Sequence, residues 1–232
     1  MKSPSGDSTV LTEPLPPETR RKGGPRRGNG LLLAGAIGLA AIVGAWAWRT
    51  GGRERVNDAK PLPVGPAVPD FSLIRQDGVT VTRETLMGQV WVADFIFTRC
   101  AGPCPEISAR MRSVQLALAE RRDQVRLVSF SLDPKFDTPS VLRHYAKRFH
   151  ADAEMWWFLT GQDETTVHDL VRRGFLQTVM PATEEEPLIH SNYLLVIDRA
   201  GRIRASHDGL DPTAPSRVVA DVEALLAESP VS

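Results

Sequence analysis

The only two cysteines of the 232-residue chain lie four positions apart, in the segment FTRCAGPCP at residues 97–105. They directly follow the apolar run at residues 90–97, which has the β-branched and aromatic content of a buried strand. Pro105 suits the first turn of a helix. Two thiols at such a strand-to-helix junction can form a disulfide or bind one soft metal ion. Because two cysteines cannot build a multi-disulfide scaffold, the fold must depend on an apolar core.

The N-terminal segment of the chain, residues 1–48, predicts a membrane anchor. Residues 1–29 are rich in Pro, Gly, Ser and charge, and they predict a disordered tail. Residues 30–48 are uncharged, long enough to cross a bilayer as a helix, and end near Trp46 and Trp48. A cleaved signal peptide is the alternative, since AWA at residues 45–47 resembles a cleavage site. In both interpretations the rest of the chain lies outside the cytoplasm. We prefer the uncleaved anchor, and we therefore expect a single-pass cell-membrane protein with a periplasmic domain.

The remaining chain predicts one α/β domain. Residues 49–68 read as a Pro- and Gly-containing linker, and residues 69–232 as the folded unit. Buried strands are predicted at residues 90–97, 125–132 and 156–159, with helices between them, the second of which starts at Thr138 and Pro139. A further helix is predicted at residues 163–173, then a hairpin at residues 193–207 and a last helix at 215–227. This order predicts a mixed sheet covered by helices on both faces. The cysteines and Asp133 then follow adjacent strands and meet at one sheet edge.

The chemistry of the cysteine pair depends on its position. A cysteine at a helix N-terminus is expected to be stabilised as thiolate, which is both the nucleophile and the metal ligand. Arg99 would add to this effect if its side chain pointed inward. A structural disulfide is disfavoured because so short a loop contributes little entropic stabilisation. Two thiolates alone are an incomplete metal site, so a third ligand should exist.

His190 is the preferred candidate for that third ligand. It follows the acidic loop at residues 181–187 and directly precedes an apolar strand, so the loop can carry it to the sheet edge. The other four histidines read as helix or strand residues with structural roles: His144, His150, His168 and His207.

These segments together resemble the Sco (SenC) family of copper-handling, thioredoxin-fold proteins. The matching pieces are FTRCAGPCP at residues 97–105, SLDP at 131–134, DTP at 137–139, WFLTG at 157–161 and HS at 190–191. The resemblance implies a thioredoxin-like domain behind an N-terminal anchor, with copper bound by Cys100, Cys104 and His190. It also implies that Asp133 assists metal binding or partner docking. The insert AGP at residues 101–103 differs from the acidic or bulkier inserts of many relatives, which leaves the partner open.

The resemblance also implies a role in assembling the binuclear copper centre of cytochrome c oxidase subunit II. Two thiolates and an imidazole form a soft, low-coordinate set that suits Cu(I), with Cu(II) as a second oxidation state to consider. A metallochaperone is therefore the first hypothesis. The second is a thiol–disulfide oxidoreductase in which Cys100 and Cys104 are the redox pair that reduces a partner's cysteines. A peroxiredoxin-like peroxidase is the third. The zero net charge gives no general case for nucleic acid binding.

Overall fold

The computed structural model describes residues 61–180 and 188–228, which belong to the compact unit Ala59–Ser232. The predicted disordered tail at residues 1–29 and the predicted anchor at 30–48 lie outside the described residues. The acidic loop at 181–187 and the linker up to residue 60 also lie outside them. Within the described ranges, none of the helices combines the length and apolarity needed to cross a bilayer.

The described residues alternate strands and helices along the chain. The strands are β1 Ser72–Arg75, β2 Thr80–Thr82, β3 Val90–Ile96, β4 Val125–Ser131, β5 Trp156–Thr160, β6 Val179–Met180, β7 Ile189–His190, β8 Tyr193–Ile197 and β9 Ile203–Asp208. The helices are α1 Arg83–Leu86, α2 Cys104–Ala117, α3 Pro139–Arg148, α4 Glu164–Asp169 and α5 Ala214–Ala227. A 3₁₀ turn, Ala119–Arg121, follows α2, and a π-helical turn, Leu170–Gly174, follows α4.

Seven of these strands form one mixed sheet in the order β2-β1-β5-β4-β3-β8-β9. The three central strands β3, β4 and β5 run parallel, and antiparallel strands flank them on both sides. The register pairs Ile96 with Ser131, so the carboxyl ends of β3 and β4 lie side by side. The segments that follow these two strands, the cysteine loop and the Asp133 turn, therefore start at one edge of the sheet.

Helices cover both faces of the sheet, as the sequence predicts. All seven residues of β3 are buried, because alternate side chains enter two different apolar cores. The core on one face combines Val92 and Ile96 with side chains from α2, α3 and α5. The core on the other face combines Trp91 and Phe95 with side chains from α1, α4 and the π-helical turn.

The structure differs from the sequence prediction at short elements. A helix predicted over residues 163–173 is α-helical only to Asp169 and continues as the π-helical turn. The β6–β7 pair was not predicted, because two-residue strands are too short to produce a periodic pattern. Upstream of β1, the backbone N–H of Gly65 donates to Ile203 at 2.9 Å and that of Val68 donates to Gly201 at 2.9 Å. Ordered packing against the β8–β9 hairpin thus reaches into the segment predicted as linker.

Candidate metal-binding site

Cys104 is the first residue of α2, and Pro103 and Pro105 flank it. Proline at these positions preorganises the first helical turn, where backbone N–H groups have no helical partner. The Cys104 side chain is fully buried, whereas Cys100 is half-buried in the turn between β3 and α2. Both cysteines are free thiols. The junction between strand and helix therefore places one thiol inside the domain and the other at its surface.

His190 reaches this thiol from a distant part of the chain. It lies on β7, opposite Val179 of β6, and its Nε2 is 3.3 Å from the Cys104 Sγ. Its Nδ1 lies 2.9 Å from the backbone oxygen of Ser191, so Nδ1 carries the proton and donates to that carbonyl. The Nε2 lone pair consequently faces the sulfur. Phe97 packs edge-on against the imidazole ring, with 5.8 Å between ring centroids.

Burial sets the protonation of this pair. It lowers the pKa of His190, against a smaller opposing effect of the hydrogen bond to Ser191, so the imidazole is neutral and able to bind a metal. Burial also raises the pKa of the Cys104 thiol, and the neighbouring Cys100 side chain adds to this increase. The expectation that the helix N-terminus stabilises a Cys104 thiolate is therefore wrong, because burial of this thiol raises its pKa instead.

Arg99 does not take part in thiolate stabilisation. Its guanidinium donates to Asp133 Oδ2 from Nη2 at 2.6 Å and from Nε at 3.1 Å, and it stacks over the Phe136 ring at 4.4 Å. Its side chain is 60% exposed, whereas that of Asp133 is 10% exposed. The condition that Arg99 points inward is not met. Asp133 lies near the cysteine loop as expected, but its carboxylate is engaged by Arg99.

The carboxylate of Asp137 binds Thr98, the residue before Arg99. Asp137 is fully buried, and it accepts hydrogen bonds from the Thr98 backbone N–H at 3.0 Å, the Thr98 hydroxyl, and the Ser131 hydroxyl at 2.6 Å. Burial raises the pKa of Asp137, and these three donors oppose the increase. Asp133 and Asp137 thus fasten two consecutive residues of the loop that leads to Cys100.

We expect Asp137→Ala to lower the free energy of unfolding by about 2–3 kcal/mol, because buried donors on Thr98 and Ser131 lose their acceptor. Urea denaturation of residues 59–232 measures this change. Asp70→Ala is the matched control, because it removes only an exposed ion pair with Arg83, worth at most about 1 kcal/mol. Equal losses in the two variants would show that Asp137 does not hold the loop.

A buried polar chain beneath the cysteines was not foreseen. Asp94 in the middle of β3 is fully buried, and its Oδ1 accepts from the Ser129 hydroxyl at 2.5 Å. The Trp156 indole N–H donates to the same hydroxyl at 2.8 Å. Asp94 Oδ2 has no hydrogen-bond partner among the described residues. The available signal was a single carboxylate inside an otherwise apolar run, which could have marked a constrained site.

The other four histidines lie away from the cysteines in structural settings. His168 is buried and its Nε2 donates to the Leu132 carbonyl at 2.8 Å, next to Asp133. His207 Nε2 lies 2.6 Å from an Asp221 carboxylate oxygen. His144 Nδ1 donates a hydrogen bond to the carbonyl of Ser140, one turn earlier in α3, and His150 follows the end of that helix. Within residues 61–180 and 188–228, no three His, Cys, Asp or Glu side chains already converge tightly enough to form a metal cage.

The sequence is similar to a known family and to proteins of several organisms. A family model described as SCO1/SenC matches residues 60–227. The SCO1 protein homolog of Bacillus subtilis (strain 168) is 31% identical over 172 residues, covering 74% of this chain and 87% of that protein.

Two solved structures are also similar. BsSco, described as a Sco-family cytochrome c oxidase assembly protein with a disulfide switch, is 30% identical with a TM-score of 0.65, covering 73% of this chain and 99% of that one. The copper-bound ScoI of Arabidopsis thaliana is 25% identical with a TM-score of 0.59, covering 70% of this chain and 100% of that one.

These matches agree with the fold. The mixed sheet with helices on both faces is the architecture of the solved Sco structures, so the prediction of a thioredoxin-like α/β domain is confirmed. The family predicted from the cysteine, Asp-Pro and histidine segments is confirmed as well. This chain belongs to the SCO1/SenC family.

Proposed function

We propose that this protein binds one copper ion through Cys100, Cys104 and His190 and delivers it during assembly of cytochrome c oxidase. The observation that carries the proposal is the 3.3 Å approach of His190 Nε2 to Cys104 Sγ, across 86 residues of sequence. The bond from Nδ1 to Ser191 leaves Nε2 available for a metal. Such a bond from the second ring nitrogen orients metal-binding histidines in general.

The donor set favours Cu(I). Thiolate sulfur and imidazole nitrogen are soft to intermediate ligands, and a site with three of them suits Cu(I) in low coordination. Binding must deprotonate both thiols. The positive charge of the ion then takes the place of the proton that burial keeps on Cys104. The Cys100 side chain already lies close enough to Cys104 to raise its pKa. Cys100 is half-exposed on a short turn, so the ion has a route in and a route out at the surface.

The relatives support the proposed cargo and process. ScoI of Arabidopsis thaliana is solved with copper bound, and BsSco is described as a cytochrome c oxidase assembly protein. We infer the same process here, with the binuclear copper centre of subunit II as the acceptor. The apolar segment at residues 30–48 would hold the domain at the outer side of the cell membrane, close to such an acceptor.

An anaerobic Cu(I) competition titration of the reduced protein, with and without His190→Ala, tests the proposal. We expect one Cu(I) per chain, and we expect the variant to bind about 100-fold more weakly because one of three ligands is lost. His144→Ala is the matched control, since this exposed histidine lies on α3 and should not alter affinity. Unchanged affinity in His190→Ala would exclude His190 as a ligand.

The same variant separates copper delivery from the oxidoreductase alternative. Thiol–disulfide exchange needs both cysteines but no imidazole ligand, so His190→Ala should retain disulfide cycling. The raised pKa of Cys104 lowers its thiolate fraction, which does not favour fast exchange at this thiol. Weak Cu(I) binding by the parent, together with a reduction potential low enough to reduce a partner, would favour the oxidoreductase.

A further inference from the structure

A charged pocket lies at the opposite end of β4 from the cysteines. It has a volume of about 320 Å³ and opens beside the first residues of β4 and β5. Its lining includes Arg75, Arg122, Arg126, Trp157, Asp123 and Glu154. Since β4 has seven residues, the pocket and the cysteine edge are separated by roughly 20 Å. Neither the proposed copper site nor any residue that positions it contributes to this pocket.

The Trp157 side chain is the buried floor of the pocket. Two guanidinium groups lie against its indole ring, Arg75 at 4.8 Å and Arg126 at 5.3 Å from the ring centroid. Both arginines therefore have restricted positions, with their planar faces occupied by the ring and their N–H edges left for polar partners.

One N–H group of Arg126, beside this pocket, has no acceptor among the described residues. Its Nη1 donates to the backbone carbonyls of Arg122 and Val125, the latter at 3.0 Å. Its Nε is buried from solvent and has no hydrogen-bond partner among the described residues. A buried N–H on a charged group is costly to leave unpaired, so such an atom beside a cavity indicates a missing acceptor.

Charges of both signs surround Arg126. Burial lowers the pKa of Arg126, the nearby Asp123 opposes this decrease, and Arg75 adds to it. Arg75 is itself paired with Asp77, at 2.9 Å from its Nε and 2.5 Å from its Nη2. Arg122 adds a third guanidinium at the rim. Asp123 and Glu154 also line the pocket, and neither forms an ion pair within the described residues. They weaken the positive potential without supplying the acceptor that Arg126 lacks.

We propose that this pocket binds an oxyanion of the phosphate class, held by Arg126 and Arg122 with Arg75 and Trp157 as a rigid backing. Guanidinium groups match phosphate oxygens by paired hydrogen bonds, and several donors around one cavity favour an ion with more than one negative charge. The ligand could be a free phosphate or phosphomonoester, or the phosphodiester headgroup of an anionic lipid. The pocket supplies the same chemistry to both.

Isothermal titration calorimetry of the reduced, metal-free full chain with inorganic phosphate tests the proposal. We expect binding at one site, weakened about tenfold by Arg122→Gln, which removes one charge-assisted donor. Arg126→Gln should weaken it at least as much. Glu154→Gln is the opposite-sign control and should tighten binding about threefold, because a repelling carboxylate is removed. Arg122→Gln should leave the Cu(I) titration unchanged, which verifies that the variant is folded.

A second titration with glycerophosphoglycerol distinguishes the two sources of the ligand. Tighter binding of inorganic phosphate would support a free phosphate or phosphomonoester. Tighter binding of the phosphodiester would support a lipid headgroup, provided that the arginine variants weaken it. Absence of binding by both probes at millimolar concentration would overturn the proposal. So would binding that neither Arg122→Gln nor Glu154→Gln changes.

Discussion

Replacing Cys104 with serine is expected to weaken Cu(I) binding by about 1,000-fold or more, which corresponds to about 4 kcal/mol. Serine is nearly the same size and can keep the hydrogen bond to His190, so the packing of α2 should persist. A hydroxyl, however, is a hard ligand that does not ionise near neutral pH, and it cannot replace thiolate for a soft ion. The same competition titration as for His190→Ala measures the loss.

A buried sulfur elsewhere on the same helix supplies the control. Met111 is fully buried on the core face of α2, and Met111→Leu removes its sulfur with little change in volume. We expect this variant to retain parental affinity for Cu(I). If Cys104→Ser also retained it while remaining folded, copper would have to be held without the buried thiol, and the proposed ligand set would be wrong.

Replacing Asp94 with asparagine is expected to stabilise the protein above neutral pH by up to about 4 kcal/mol. Burial raises the pKa of Asp94 from 3.8 to about 7, and the hydrogen bond from Ser129 offsets only part of this increase. The folded state therefore keeps a proton that the unfolded state releases between pH 4 and pH 7. The free energy of unfolding contributed by Asp94 consequently falls as the pH rises through that range and stays low above it.

Asparagine has the same shape as aspartate and no charge to desolvate, so the variant should not show this loss. The difference in unfolding free energy between Asp94→Asn and the parent should be near zero at pH 4 and rise to its maximum by about pH 8. Urea denaturation of residues 59–232 across this range measures it. Asp169→Asn, which alters a half-exposed aspartate on α4, is the control and should change the free energy of unfolding by at most about 1 kcal/mol. A difference for Asp94→Asn that does not grow with pH would show that the carboxyl is ionised in the folded protein at low pH as well.

Much of the fold could be predicted from the sequence because its signals are local. The continuous apolar run at residues 90–97 predicts a strand covered on both faces, and β3 is buried along its whole length. Thr138 and Pro139 predict the start of a helix, and Thr138 accepts a hydrogen bond from the Val141 backbone at the start of α3. The two-residue strands and the π-helical turn were missed, because they arise from packing against distant elements rather than from a repeating pattern.

The candidate site, like the fold, was predictable from the sequence only in part. The sequence by itself determined the family, the alternation of strands and helices, and a thiol pair at a strand-to-helix junction, because each is recorded in contiguous residues. Only the tertiary structure decided that His190 faces Cys104, that Arg99 turns to Asp133, and that one oxygen of the buried Asp94 has no hydrogen-bond partner among the described residues. Those outcomes depend on burial and on contacts between residues far apart in sequence, and burial is also the reason that Cys104 keeps its proton despite its place at a helix N-terminus.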